Sequence, residues 1–262
     1  MSWSKETRSG FGGGEVIYRC RNMNDSNVLQ AFSTKTNGNM ALHTGDDPEK
    51  VLQRRRTFLG TLGLELKCLV AGVQTHSVNV RLVTRQLAGA GAWDLATAVP
   101  DTDAFITRES GIILSIFTAD CLPIFIYDPV TPSIGLAHAG WRGTLNRIAA
   151  KTLEEMVAVF HTNPSQCRVA IGPAIGTECF AVTEDVAGQF AAIFPETVHF
   201  DNSNYRVDLS EFNQKTLRNM GVPGQQITGS GLCTSCLRED FYSYRAENRT
   251  TGRMMGIISL RK

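Results

Sequence analysis

IILSIFTADCLPIFIY, residues 112–127, places two apolar runs on either side of a short polar turn. The runs, 112–118 and 122–127, are nearly continuous in branched and aromatic side chains. A strand with one wet face alternates apolar and polar residues, whereas a run that is apolar almost throughout belongs to a strand covered on both sides. The pair predicts two central strands of a layered core. Working outward, short branched or aromatic segments predict further strands over 15–20, 28–33, 67–71, 78–83, 104–107, 134–139, 168–171, 205–209, 226–230 and 254–259. Helices are fewer. Leu145, Ile148, Ala149, Leu153, Met156, Val157 and Phe160 recur at three- and four-residue spacing, which predicts a helix over 144–161. Two more are expected over 184–194 and 210–220, the latter with Ser210 as N-cap and Gly221 as its stop. Another has Pro48 in its first turn and carries Arg54-Arg55-Arg56, read as a solvated face. Many strands with a few interspersed helices imply a mixed α/β (α+β) fold. No linker-like stretch or repeat divides the chain. Residues 1–14, with Gly10 and Gly12-Gly13-Gly14, are expected to be loose, leaving 15–262 as a single domain.

Composition bounds the function. The 262 residues are 42% hydrophobic and 8% aromatic, enough for a packed core, which excludes wholesale disorder. Lys plus Arg number 26 against 25 Asp plus Glu, so the net charge of +1 gives no reason to expect a nucleic-acid or membrane partner. No apolar run approaches the roughly 20 residues that span a bilayer. The opening Met1-Ser2-Trp3-Ser4-Lys5-Glu6 lacks the apolar core of a signal peptide, so a cytoplasmic location is expected. Seven cysteines, an odd number in a chain of this size, fit a reducing compartment better than a disulfide framework. Five histidines cannot build a four-copper oxidase centre, which needs about ten imidazoles and a thiolate. Any metal site must be small.

Chemistry concentrates at 118–123 and 135–144. Cys121 lies in the turn between the two apolar runs, and His138 ends another strand before a glycine-rich turn. Strand ends hold a reactive group rigidly beside a surface cleft. Gly140 and Gly143 allow close backbone approach, and a helix start with Arg142 beside it favours an anion. Cys121 and His138 suit either a thiolate–imidazole dyad or metal ligation, and ligation needs a third donor. His76 is the best remaining one, with Gln74 two positions earlier to orient it or reach a ligand. Cys233 and Cys236 form a C-x-x-C element without a second pair at zinc-ribbon spacing, and read as structural thiols. Phe241-Tyr242-Ser243-Tyr244-Arg245 could stack a planar ring and hydrogen-bond its edge or a phosphate.

Taken together, TADCLP (118–123), HAGWRG (138–143), IGPAIG (171–176), Cys233-Thr234 and FYSYR (241–245) resemble the bacterial laccase-domain, or polyphenol-oxidase-like, proteins. That family is also described as purine nucleoside phosphorylases. Phe32-Ser33-Thr34-Lys35, Thr44-Gly45-Asp46-Asp47-Pro48 and Gln74-Thr75-His76 follow its pattern too. The resemblance implies one α/β domain of layered sheets flanked by helices, similar to the catalytic domain of the cytotoxic necrotising toxins. It implies His76, Cys121 and His138 as ligands of one ion, Zn2+ or, as also described for the family, Cu2+. It implies phosphorolysis of adenosine, inosine, guanosine and methylthioadenosine, with adenosine deamination beside it. The expected partners are purine nucleosides and phosphate, and the expected assembly is a monomer or small homo-oligomer. Within that reading Cys121 and His138 are catalytic, Asp120 is an acid/base or a supporting group of the turn, and Arg142, Arg245, Ser243 and Gln74 contact substrate. Ser77, Lys35 and Arg54 depart from the residues common at their positions. The rival readings are a copper-dependent polyphenol oxidase, a Cys–His hydrolase or amidase acting on peptidoglycan precursors, and a non-enzymatic nucleoside- or metal-binding regulator.

Overall fold

Alternation inside the apolar runs decides which layer each side chain enters. Phe125 and Tyr127 pack into one cluster, while Ile124 and Ile126 pack into another on the opposite face. The computed structural model describes residues 3–10, 13–201 and 204–261. The first half of the chain runs β1 (Trp3–Gly10), β2 (Gly13–Cys20), β3 (Val28–Ser33), α1 (Pro48–Thr61), β4 (Leu69–Val70), β5 (Val80–Leu82) and β6 (Ala104–Thr107). The central strands β7 (Ile113–Thr118), β8 (Leu122–Asp128) and β9 (Ser133–Ala139) follow, then α2 (Trp141–Leu145), α3 (Ile148–Phe160) and β10 (Arg168–Ile171). The remainder holds β11 (Ala181–Val182), α4 (Glu184–Ala191), β12 (Val198–Asp201), β13 (Asn204–Val207), α5 (Leu209–Asn219), β14 (Ile227–Gly229) and β15 (Met254–Leu260).

Two six-stranded mixed sheets, ordered β1-β2-β3-β15-β7-β4 and β14-β10-β8-β9-β6-β5, lie face to face. Their inner faces meet through Phe32, Leu114 and Met254 from the first and Phe105, Phe125 and Leu136 from the second. Helix α1 covers the outside of the first sheet through Leu52, Phe58 and Leu59. On the outside of the second sheet lie α3 and α5, through Ile148, Leu153, Met156, Phe212 and Leu217. The result is a single α/β domain with a helix–sheet–sheet–helix core, and a small sheet β11-β13-β12 at one side. Full burial of both central runs follows from this layering. Among the described residues no helix is long and apolar enough to cross a membrane.

Four expectations are corrected. Within residues 1–14 the described positions are not loose: β1 pairs antiparallel with β2 from Trp3↔Cys20 to Gly10↔Gly13, and Trp3 is buried. Residues 1, 2, 11 and 12 lie outside the described residues. The helix expected over 144–161 is two helices, because Arg147 adopts a left-handed conformation (φ 63°) that ends α2 before α3 begins. The cap of α5 is Asp208, two residues ahead of Ser210, and its carboxylate accepts from the Glu211 N–H at 2.8 Å. The arginine run is not a uniform solvated face. Arg56 is exposed, but Arg55 is only 1% exposed and donates to the carbonyls of Met40, Gly91 and Ala92 at 2.8–2.9 Å.

Candidate metal centre and cleft

β7 belongs to one sheet and β8 to the other, so the turn at 119–121 carries the chain across the sandwich. Cys121 sits at the end of that crossing, half-buried. His138 is the penultimate residue of β9, paired with Pro123 and buried. His76 comes from the loop between β4 and β5, in a left-handed conformation (φ 61°) that turns its exposed ring back toward the other two. The Cys121 Sγ and one ring nitrogen from each imidazole all lie within 4.8 Å of one another. Cys121 Sγ is 3.8 Å from His76 Nε2, and the two ring centroids are 5.0 Å apart. Gly140 makes this convergence possible: a Cβ there would stand 2.6 Å from His76 Cδ2 and 3.1 Å from Cys121 Sγ.

One carboxylate arranges the cluster. Asp103 precedes β6, and the pairing of Ala104 with Ala137 puts it opposite His138. Its buried carboxylate accepts from His138 Nδ1 at 2.7 Å, which leaves Nε2 as the free ring nitrogen. The same group accepts from the N–H groups of Thr75, His76 and Ser77 at 3.0, 3.2 and 2.8 Å, and from Ser77 Oγ at 2.9 Å. Asp103 thus fixes one imidazole by its ring and the other by its backbone. Sequence reading missed it, because only strand register reveals that residues 103 and 138 are neighbours.

The electrostatics follow. Burial pushes the Cys121 thiol up, but the His138 and His76 rings outweigh it and bring the thiol down to about 6. Burial also pushes His138 down, and Cys121 together with Asp103 reverses this, lifting the imidazole to about 9. Asp103 itself is opposed by burial, yet its bonds to His138 and Ser77 draw it to about 2. In metal-free protein the site is a thiolate–imidazolium pair between about pH 6 and pH 9. The folded thiol lies below its unfolded value, so its stabilising contribution is lost as pH falls through about 6. The imidazole lies above its unfolded value, so its contribution is lost as pH rises through about 9. Iodoacetamide labelling of Cys121 in chelator-treated protein, followed by peptide mass mapping, is expected to show a midpoint near pH 6. A midpoint near ~8.5, the value of an unperturbed cysteine, would contradict this electrostatic account.

The cluster lies in the wall of a cleft of about 540 Å3. Arg142, Arg245, Arg249 and Arg253 line it, with His43, Trp141, Phe180 and Tyr244. Three of these guanidiniums lie over rings: Arg142 over Trp141 at 4.3 Å, Arg245 over Phe180 at 5.3 Å and Arg253 over Tyr244 at 5.5 Å. Burial, with Arg253 and Arg55 nearby, holds His43 below its ordinary value. Arg249, Arg253 and His43 were not singled out as functional from sequence, since nothing in their spacing marks a shared wall, whereas Tyr244 belongs to the aromatic segment expected to stack a ring.

The remaining expected site residues divide. Arg142, Arg245 and Gln74 line the cleft, but both ends of the Gln74 amide are engaged by the Phe117 backbone at 2.7 and 2.9 Å. Ser243 does not reach it: the residue is fully buried and its hydroxyl accepts from the Ala246 N–H at 3.1 Å. Asp120 lines the cleft, with its carboxylate occupied by Thr234 Oγ1 and the Arg245 N–H, both at 2.7 Å. Its carbonyl accepts from the Ile175 N–H, so Asp120 joins two cleft segments and the 233–236 loop to the Cys121 turn.

A family model described as multi-copper polyphenol oxidoreductase laccase matches residues 29–261. Purine nucleoside phosphorylase YlmD of Geobacillus stearothermophilus is 39% identical over 229 residues, 86% of this chain and 84% of that protein. Adenosine deaminase RL5, from an unknown prokaryotic organism, is 32% identical over 225 residues, 82% of this chain and 84% of that one. The crystal structure of YlmD from Geobacillus stearothermophilus matches with a TM-score of 0.90 at 35% identity, covering 98% of this chain and 100% of that one.

Proposed function

We propose, from the premise that this chain belongs to the multi-copper polyphenol oxidoreductase laccase family, that it is a metal-dependent purine nucleoside phosphorylase that also deaminates adenosine. The observation that carries the reading is the convergence of His76, Cys121 and His138 in the wall of an arginine-lined cleft. The donor set fits a cation: two imidazoles and a thiol supply three ligands, as catalytic zinc sites do, and the Asp103–His138 bond fixes the tautomer that frees Nε2. Zn2+ is the expected ion, with Cu2+ the other member of this chemistry. When bound, such an ion supplies a Lewis acid that polarises a substrate oxygen or lowers the pKa of a water.

The chain's own residues account for the rest. Arg142 and Arg249 present guanidiniums suited to hold phosphate, while Trp141, Phe180 and Tyr244 offer rings for a flat base. In phosphorolysis a phosphate oxygen forms the bond to ribose C1′ as the C1′–N9 bond breaks, and the departing purine takes a proton. Holding the anion and the base on opposite sides of C1′ is a positioning task. Water at C6 of adenine in the same cleft gives inosine and ammonia. Names of the relatives, a purine nucleoside phosphorylase and an adenosine deaminase, support both activities. A thiol hydrolase is the second reading, favoured by the Cys121 thiol at about 6.

The test is incubation of purified protein with inosine, with and without phosphate. Phosphate-dependent release of hypoxanthine is expected. Oxidation of phenols that follows copper loading, without hypoxanthine release, would overturn the proposal in favour of an oxidase. Cleavage of peptidoglycan-precursor amides by fully metal-stripped protein would move the assignment to the thiol hydrolase.

A further inference from the structure

Cys179, Cys233 and Cys236 are far apart in sequence or belong to an element that reads as structural, yet their three Sγ atoms lie within 4.8 Å of one another. Two loops bring them there. Cys179 ends a short turn after β10, and Cys233 and Cys236 follow β14. The loops are zipped by a parallel bridge between Ala174 and Cys233, with the Ala174 N–H bonded to Leu232 and the Thr234 N–H bonded back to Ala174. This pairing is why a C-x-x-C element without a second pair acquires a third thiol. Cys179 Sγ and Cys236 Sγ are 3.4 Å apart, and the Gly176 N–H donates to Cys233 Sγ at 3.2 Å. All three sulfurs line a second cavity of about 650 Å3, and Cys236 is exposed, so a small cation can reach them from solvent.

We infer that Cys179, Cys233 and Cys236 form a second metal site, a three-thiolate cradle for a thiophilic cation of the zinc type. Bonds of about 2.3 Å at tetrahedral angles put zinc-bound sulfurs about 3.8 Å apart. The 3.4 Å pair and the 4.8 Å upper limit bracket that spacing, so ligation needs only small side-chain rotations. A backbone N–H donated to sulfur stabilises the thiolate. Burial raises the Cys233 thiol, but the bonds from Gly176 and Cys236 outweigh it and hold it below its ordinary value. Cys236, the exposed member, gives a cation its entry, and ligation displaces the remaining thiol protons. The cradle is tied to the first site through Asp120, which binds Thr234 and Ile175 from the same two loops. Occupancy would therefore brace the wall that also carries Arg245, whose Nη1 donates to the Cys179 carbonyl at 3.4 Å.

The test is a Zn2+ titration of chelator-stripped, fully reduced protein against a chromophoric competitor. Wild-type protein is expected to take up a zinc equivalent that Cys121→Ser retains and that both Cys233→Ser and Cys236→Ser lose. Because Cys236 is exposed, its replacement keeps the test valid even if the Cys233 variant misfolds. In the Cys121→Ser background, Zn2+ should also slow iodoacetamide labelling of Cys236 at least about tenfold, as expected of a ligated thiolate. Equal zinc uptake by wild type and Cys236→Ser, with no protection of Cys236, would overturn the inference. So would a Cys179–Cys236 disulfide that persists under the reductant and leaves no zinc bound there. None of these outcomes depends on what the first site does.

Discussion

Asp103→Ala is expected to lower the folding free energy by about 4 kcal/mol or more, the range for stripping one partner from a buried charged network. The carboxylate is fully buried and accepts from three consecutive backbone N–H groups, the Ser77 hydroxyl and the His138 ring. Alanine leaves all of those donors without their acceptor, and of them the His138 ring is buried. Against a typical stability of about 5–15 kcal/mol, the loss is severe. Where the variant still folds, metal affinity and turnover should fall by about 10–100-fold, because the imidazole loses the partner that fixes its tautomer. Asp103→Asn should fall between the two, since its amide nitrogen faces groups that are themselves donors. Chemical denaturation monitored by fluorescence, paired with metal-binding titration, reads both effects. An alanine variant within about 1 kcal/mol of wild type would contradict the role given to Asp103.

Arg55→Met should cost about 3 kcal/mol, from charge-assisted bonds to three carbonyls that methionine cannot replace. The guanidinium lies 4.7 Å over the Phe117 ring and binds Met40, Gly91 and Ala92, and burial lowers its pKa to about 10. Methionine fills the volume of the stem, so packing alone would predict a small change. The loss then reports the hydrogen bonds. Lysine should recover little of it, having a point charge where the fork reaches separate carbonyls. The neighbouring Arg56→Met, on the exposed side of the same helix, should stay within about 0.5 kcal/mol. Equal small effects at both positions, by denaturant midpoint, would contradict the account.

What could be read in advance depended on how local the determining physics is. The runs at 112–118 and 122–127 announced two-sided burial because layering leaves no wet face to write a polar alternation. Arg55 was legible in principle: Val51, Leu52, Phe58 and Leu59 define a helical stripe, and residue 55 lies on it while 54 and 56 do not. A charge on the stripe signals a buried partner. The break at Arg147 left no such mark, because Leu145 and Ile148 continue the apolar pattern through it and only the backbone departs from the helix. β1 was missed because its polar Ser4, Lys5, Glu6, Thr7 and Arg8 belong to an edge strand paired on one side alone. His76, Cys121 and His138 could be nominated by residue type, motif and resemblance. Asp103 and Cys179 could not, since strand register and a bridge between distant loops bring them to their clusters.

The central claim is that a cation held by His76, Cys121 and His138 is required for nucleoside phosphorolysis. The direct measurement uses chelator-stripped Cys236→Ser protein, so that only the first site counts, reloaded with graded zinc while hypoxanthine release from inosine and phosphate is followed. The rate should rise in proportion to occupancy, and a further Cys121→Ser change should abolish both uptake and rate. Full phosphorolysis by the stripped protein, or unchanged turnover after loss of Cys121, would contradict the account.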